Sequence, residues 1–362
     1  MATNTLIPFE ATHPGTLIKD ELEVRDDLTQ KGLAVLLGVK PSFLNEIIKG
    51  KRPVTADIAI LLEKSLSIPA DYWMRFQSQF EINSAKIKEK NITKIKLIEI
   101  WEIICEYVPI KYFSKKGFLT NDLSSNIAII QSIYCVKSIE ELTHKFSESK
   151  FAFFKKSEKL QIDEKNMLAW TSLVEYEAER KSTSTFNSEN LPQLIKELRE
   201  IFYNNKNTLV LVDKKLAEYG IKFLMIDKLE KTPIDGYSFW SKNNPVIALT
   251  LRHNRIDNLA FTILHEIGHI ALHVKNNKES KFLDLTKIEK NKFENEANHY
   301  AEENLIPADC WKDLLENYIP LNDKIILEFS NKYRINPAII LGRACFEMDY
   351  YSIKTNIDKK LY

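Results

Sequence analysis

Two histidines and a glutamate, His265, His269 and Glu266, stand within an otherwise apolar run, with Leu259 to Leu264 before them and Ile270 to Leu272 after. An α-helix turns 100° per residue, so positions i and i+4 return to one face. Two imidazoles at that spacing grip one zinc ion, and the Glu between them reaches a water bound to it. Glu266 is then the expected general base. It takes a proton from the water as the water attacks a peptide carbonyl, and passes that proton to the leaving amine. Gly268 leaves room for a neighbouring backbone.

A catalytic zinc takes three protein ligands and keeps one position open. The third is sought in Glu294-Asn295-Glu296-Ala297-Asn298-His299-Tyr300-Ala301. Glu294 and Glu296 point about 200° apart on a helix, so only one faces the metal. Ala297 and Ala301 mark the closely packed face, Glu296 borders it, and Glu296 is the expected ligand. His273 is the rival. It lies about 12 Å from His265 along a straight helix, and residues 270–272 hold no glycine that would break it. His273 is therefore expected in a structural role or at a pocket edge, and His299 at the surface.

These side chains need elements to position them. Ile221–Ile226, Gly236–Trp240 and Val246–Thr250 read as strands, the last two joined through Asn243-Asn244-Pro245. A helix from about Arg255 to His273 follows, then another from about Phe293 to Glu303 that stops before Pro307. A small sheet thus leads into the metal-site helix. The strand 246–250 is a candidate for receiving substrate as an added strand; a purely structural strand is the alternative.

A second constellation lies near the start. In Leu28 to Gly50, small Ala34 lets two helices approach and Gly38 supplies a tight turn with positive φ. Pro41 suits the first turn of the next helix. Val39, Leu44 and Ile47 are expected inward. Lys40, Ser42, Phe43, Asn45 and Lys49 are expected outward, with Lys51 and Arg52 just after. Small and amide side chains suit base edges and cations suit phosphate, so these residues read as a recognition helix, with Gln30 holding a phosphate from the preceding helix. Residues 1–80 carry nine Lys and Arg against ten Asp and Glu. Affinity for DNA must then come from a local patch and from dimerisation. A helix-turn-helix used only for protein contact is the alternative.

The chain has 362 residues, more than one typical core, which predicts two or three domains. The expected division is a helix-turn-helix domain over 1–80, a helical connector without a readable motif over 81–205, and a metal domain over 206–362, with a loop at Ser182–Asn190. A net charge of +1 excludes an electrostatic magnet for nucleic acid or membrane. Cys105, Cys135, Cys310 and Cys345 are too sparse for a disulfide framework, which fits a reducing cytosol. The first residues lack a basic segment followed by an apolar one, and no apolar stretch reaches 18 residues. A cytoplasmic protein with no membrane partner is expected.

Two resemblances sharpen this reading. Pro245–Leu249, Phe261–His273, Glu294–Ala301 and Leu305-Ile306-Pro307 together resemble an ImmA/IrrE-type zinc metallopeptidase over about residues 206–310, extending to Arg343 through Asn336–Gly342. The resemblance implies a gluzincin-like α+β fold, Zn2+ held by two His and one Glu with that Glu at Glu296, and cleavage of a repressor or antitoxin protein. Ala260-Phe261 departs from the Trp-Phe pair common in the family. His13-Pro14-Gly15, the helix-turn-helix, Gly50–Asp57 and Pro69–Trp73 resemble the HigA-type branch of the Cro/repressor helix-turn-helix family over about residues 10–80. That likeness implies a five-helix bundle repressing operator DNA as a homodimer, with a small toxin as a further partner. The expectation is a multidomain regulator: an all-α DNA-binding domain, a connector and a zinc metalloendopeptidase domain. The alternative is an antitoxin-type repressor whose zinc fold only senses or scaffolds.

Overall fold

The computed structural model describes residues 9–148, 163–250, 254–285, 292–348 and 354–362. The first eight residues, on which the expectation about a leader rests, lie outside them. The chain forms two compact units, residues 1–102 and 103–362. The expected connector over 81–205 is therefore not a body of its own. The helix Ala70–Ile87 carries the first unit past residue 80, and the helices beyond residue 103 belong to the second.

The first unit is all-α. Helices Gly15–Val24, Gln30–Leu36, Pro41–Ile48, Ala56–Leu66 and Ala70–Ile87 enclose Ile18, Leu33, Ala34, Leu44, Ile47, Leu62 and Trp73. Gly38 turns the chain at φ +64°, and Pro41 occupies the first turn of Pro41–Ile48, as expected. Thr29 and Thr55 cap the helices that follow them by accepting from the amides of Gly32 and Ile58. Gly15 shows why His13-Pro14-Gly15 is built as it is. A Cβ there would sit 2.2 Å from the carbonyl oxygen of Ile47, and the Gly15 amide donates to His13 Nδ1 at 2.9 Å.

The second unit is α+β. Among the described residues its sheet has four strands in the order β1 (Lys222–Met225), β3 (Asn244–Leu249), β2 (Ile234–Ser241) and β4 (Phe282–Leu285). β1 runs parallel to β3, and β2 is antiparallel to both of its neighbours. Alternation along β2 sorts its side chains between two faces. Gly236 meets Glu266 of the helix Ile256–His269 on one face. Tyr237 meets the helix Glu164–Arg180 on the other, where its hydroxyl donates to Glu175 at 2.7 Å and its ring lies 6.2 Å from that of Trp170. The segment expected to be a connector thus supplies the second layer over the sheet. The main core, with Ile247, Leu249, Ile263, Leu264 and Ile267, lies between the sheet and the helices of the first face.

β3 is a central strand, paired on both sides. The expectation that 246–250 receives a substrate strand is therefore corrected: its backbone groups are already committed to β1 and β2. The end strand nearest the histidines is β4, which the sequence reading did not identify. No helix among the described residues is long and apolar enough to cross a membrane, and none of the four cysteines is in a disulfide.

Candidate metal centre

His265 and His269 project from one face of the buried helix Ile256–His269, as their spacing predicts, with Nε2 atoms 3.0 Å apart. Glu294, in the first turn of the helix Lys292–Leu305, brings its carboxylate to 3.2 Å from His265 Nε2 and 3.5 Å from His269 Nε2. Zinc ligands at 2.0–2.1 Å in a tetrahedron lie about 3.4 Å from one another. The three atoms therefore match the edges of a zinc coordination shell.

Glu296 is not in this cluster, which corrects the expected third ligand and the assignment implied by the resemblance. Glu294, Ala297, Asn298 and Ala301 follow one another at i, i+3, i+4 and i+7 and form one helix stripe. Glu296 is next to Ala297 in sequence but 100° away around the axis. The stripe is the face that meets the histidine helix. A Cβ on Gly268 would lie 3.2 Å from the backbone of Ala297, so the glycine permits this close approach.

Glu296 instead accepts from His273 Nε2 at 2.9 Å, and His273 Nδ1 lies 3.1 Å from His269 Nδ1. The arrangement satisfies every atom if neutral His273 donates through Nε2 and accepts from His269 Nδ1–H, leaving His269 Nε2 for a metal. Past His269 the helix widens into a π-turn, Ile270–Val274, and His273, four residues after His269, lies beside it on the same face. On the other side, His265 Nδ1–H donates to Asn298 Oδ1 at 2.9 Å and frees Nε2. The Phe282 ring of β4 stacks on His269 with centroids 4.6 Å apart. His299 is exposed, as expected.

Glu266 is fully buried, and among the described residues its carboxylate has no hydrogen bond of normal geometry, with the Ser238 hydroxyl of β2 as its near polar neighbour. Burial, with Asp284 and Glu294 nearby, pushes its pKa up to about 8 against the opposing pull of His265. Burial likewise raises Asp284 of β4 to about 6. Burial alone would raise Glu294, but hydrogen bonds from His265 and His269 outweigh it and hold Glu294 at about 2. Burial pulls His265 down, and Glu294, Glu266 and Asp284 more than reverse it, to about 9. Without a cation, a proton on His265 offsets part of this acidic cluster. The donor set and the buried Glu266 carboxylate fit zinc with a reacting water.

A cavity of about 930 Å³ opens beside the centre, bounded by His273, Phe282 and Phe293 on one side and by Leu168, Ser172 and Glu175 on the other. The second wall comes from the segment read as a connector.

In the N-terminal unit, Lys40, Ser42, Lys49 and Lys51 are exposed on or beside the helix Pro41–Ile48, and Gln30 opens the preceding helix. Asn45 is half-buried. Phe43, expected outward, packs partly against the core and lies 5.1 Å under the Arg52 guanidinium. Arg52 is also paired with Glu46. Phe43 and Arg52 thus support each other, the ring covering part of the core while the Arg52 side chain stays exposed beside the helix.

Residues 217–343 match the IrrE N-terminal-like domain family of M78 peptidases, and residues 18–73 match the helix-turn-helix family. The chain is 32% identical over 85 residues to Virulence-associated protein I of Dichelobacter nodosus, covering 24% of this chain and 79% of that protein. Among solved structures, it resembles an addiction module antidote protein of the HigA family from Coxiella burnetii, with 29% identity, 24% of this chain and 92% of that chain covered, and a TM-score of 0.22. It also resembles the Pseudomonas aeruginosa antitoxin HigA, solved with the higBA promoter, with 30% identity, 24% and 91% coverage, and a TM-score of 0.22. The chain therefore joins a member of the helix-turn-helix family, at residues 18–73, to a member of the IrrE N-terminal-like M78 peptidase family, at residues 217–343.

Proposed function

We propose that the chain is a transcriptional regulator whose C-terminal unit is a zinc-dependent endopeptidase acting on a regulatory protein, a repressor or antitoxin, and whose N-terminal unit binds operator DNA as a homodimer. The peptidase reading rests on one observation: His265, His269 and Glu294 converge at coordination spacing beside a buried carboxylate, Glu266, that no hydrogen bond of normal geometry holds among the described residues. Zinc held by these three residues supplies the Lewis acidity that polarises a peptide carbonyl and acidifies a water. Glu266 holds the proton taken from that water and delivers it to the leaving nitrogen. Burial raises its pKa in the metal-free centre, and a cation held by the neighbouring ligands would draw it back toward the range of a general base. Asn298 and the His273–Glu296 pair hold the two imidazoles in the tautomer that turns Nε2 to the metal. β4, an end strand with Phe282 and Asp284 on the metal face, is the edge along which a substrate strand adds.

Glu266→Gln tests this reading, because it keeps the volume and removes the base. The expected result is unchanged zinc content and a loss of about 10²–10⁴-fold in cleavage of the repressor or antitoxin encoded beside this gene. Undiminished cleavage by the variant overturns the peptidase reading and leaves the sensor or scaffold.

Operator binding rests on the exposed Lys40, Ser42, Lys49 and Lys51. Lys49→Ala with Lys51→Ala is expected to weaken binding to the duplex upstream of the chain's own gene. It should also reduce the slope of log affinity against log salt by about two. An unchanged salt slope counts against these lysines as phosphate contacts.

A further inference from the structure

A second cavity, of about 390 Å³, lies between the two helices that carry the metal ligands, at the ends away from them. Asn258 and Phe261 line it from the histidine helix, and Glu302, Leu305 and Ile306 from or just beyond the helix that carries Glu294. Ile339 and Cys345 of the helix Pro337–Glu347 and Lys359 of the C-terminal segment complete it. Leu305, Ile306, Ile339 and Cys345 are buried, so the floor is apolar.

The charges at this cavity divide into committed and uncommitted groups. Arg255 Nε donates to Asp257 at 3.0 Å. Arg343 donates to Glu347 at 2.9 Å and to the Ile306 carbonyl at 2.9 Å, and its guanidinium lies 4.4 Å over the Trp311 ring. The Lys359 ammonium and the Glu302 carboxylate, both half-buried, have no hydrogen bond or ion pair among the described residues. An occupant that satisfies the whole lining has an apolar body, one anionic group and one cationic group. The volume falls in the range of small-molecule sites.

We propose that this cavity binds a free α-amino acid with an apolar side chain, its carboxylate on Lys359 and its ammonium on Glu302, and that this binding is linked to zinc affinity. Linkage follows from the position. Phe261 is one helical turn from His265, with ring centroids 6.1 Å apart, and Glu302 shares its helix with Glu294. The two helices are in backbone contact at Gly268 and Ala297, so a ligand wedged between their far ends alters how Glu294 approaches the histidines.

Calorimetric titration of the full-length chain with L-phenylalanine, with and without zinc, tests both parts. Saturable one-to-one binding is expected in the metal-free chain, weakened about tenfold or more by Lys359→Met and by Glu302→Gln. 3-Phenylpropionate and phenethylamine, each lacking one charge, should bind more weakly than phenylalanine. Lys359→Met should erase the preference over phenethylamine, and Glu302→Gln the preference over 3-phenylpropionate. No saturable binding by about 10 mM, or binding that neither substitution weakens, overturns the site. Phenylalanine should shift the zinc dissociation constant by the same factor as zinc shifts that of phenylalanine; an unchanged zinc constant overturns the linkage. Because the metal-free chain is sufficient for the first part, failure of the peptidase reading and failure of this site are separate results.

Discussion

Replacing Glu294 with Ala is expected to lower zinc affinity by well over about 100-fold, whereas the same change at Glu296 should cost less than about tenfold. Losing a partner that only orients a ligand typically costs 10–100-fold, and losing a ligand costs more. Glu294 touches both Nε2 atoms, at 3.2 and 3.5 Å. Glu296 acts two steps away, through His273 on His269. It is also half-exposed, so water substitutes for it as the acceptor of the His273 proton. His273→Ala and Asn298→Ala should fall between these extremes, since each removes a direct partner of an imidazole Nδ1. Competition between the chain and a chromophoric zinc chelator at neutral pH orders the four variants. Equal losses at Glu294 and Glu296, or a greater loss at Glu296, would show that the acidic helix presents the other face to the metal.

Gly236→Ala is expected to reduce cleavage by about 100-fold while leaving zinc bound. A Cβ on Gly236 would stand 1.8 Å from Glu266 Oε1 and 2.7 Å from its Cδ. The contact is with a side chain, so Glu266 is displaced before the backbone is. A displacement of about 1 Å at a reacting group costs on the order of 100-fold. The backbone at 236 is not in the left-handed region, so alanine adds no conformational strain of its own. Two measurements separate this from general damage. Zinc content and thermal midpoint should stay near those of the parent chain. In addition, introducing Gly236→Ala into the Glu266→Gln variant should cost little further activity, because both changes act through one group. A full additional 100-fold loss in the double variant would place the effect of Gly236 elsewhere.

Much of the site was legible because it is encoded locally. The i, i+4 spacing of His265 and His269 needs only a helix to become a pair of ligands. Gly38 and Pro41 act through their own backbone preferences, and the turn they predicted is present at φ +64°. Even Glu294 left a trace, in the stripe it forms with Ala297, Asn298 and Ala301; proximity in sequence drew the expectation to Glu296 instead. His273 was harder. Its i, i+4 spacing from His269 already places it on the same face, but the sequence offered it only as a rival ligand and gave no sign that it would pair with Glu296 and orient His269 instead.

The amino-acid order by itself determined two imidazoles on one buried face, a carboxylate between them, and a helix-turn-helix near the start, because helical periodicity and turn chemistry act over a few residues. Only the tertiary structure decided which acid completes the cluster, that β3 is central and β4 an end strand, that Phe43 and Arg52 support each other, and that Glu164–Arg180 covers the sheet. Those outcomes depend on how helices rotate against their neighbours and how strands order themselves, which contacts distant in sequence select together.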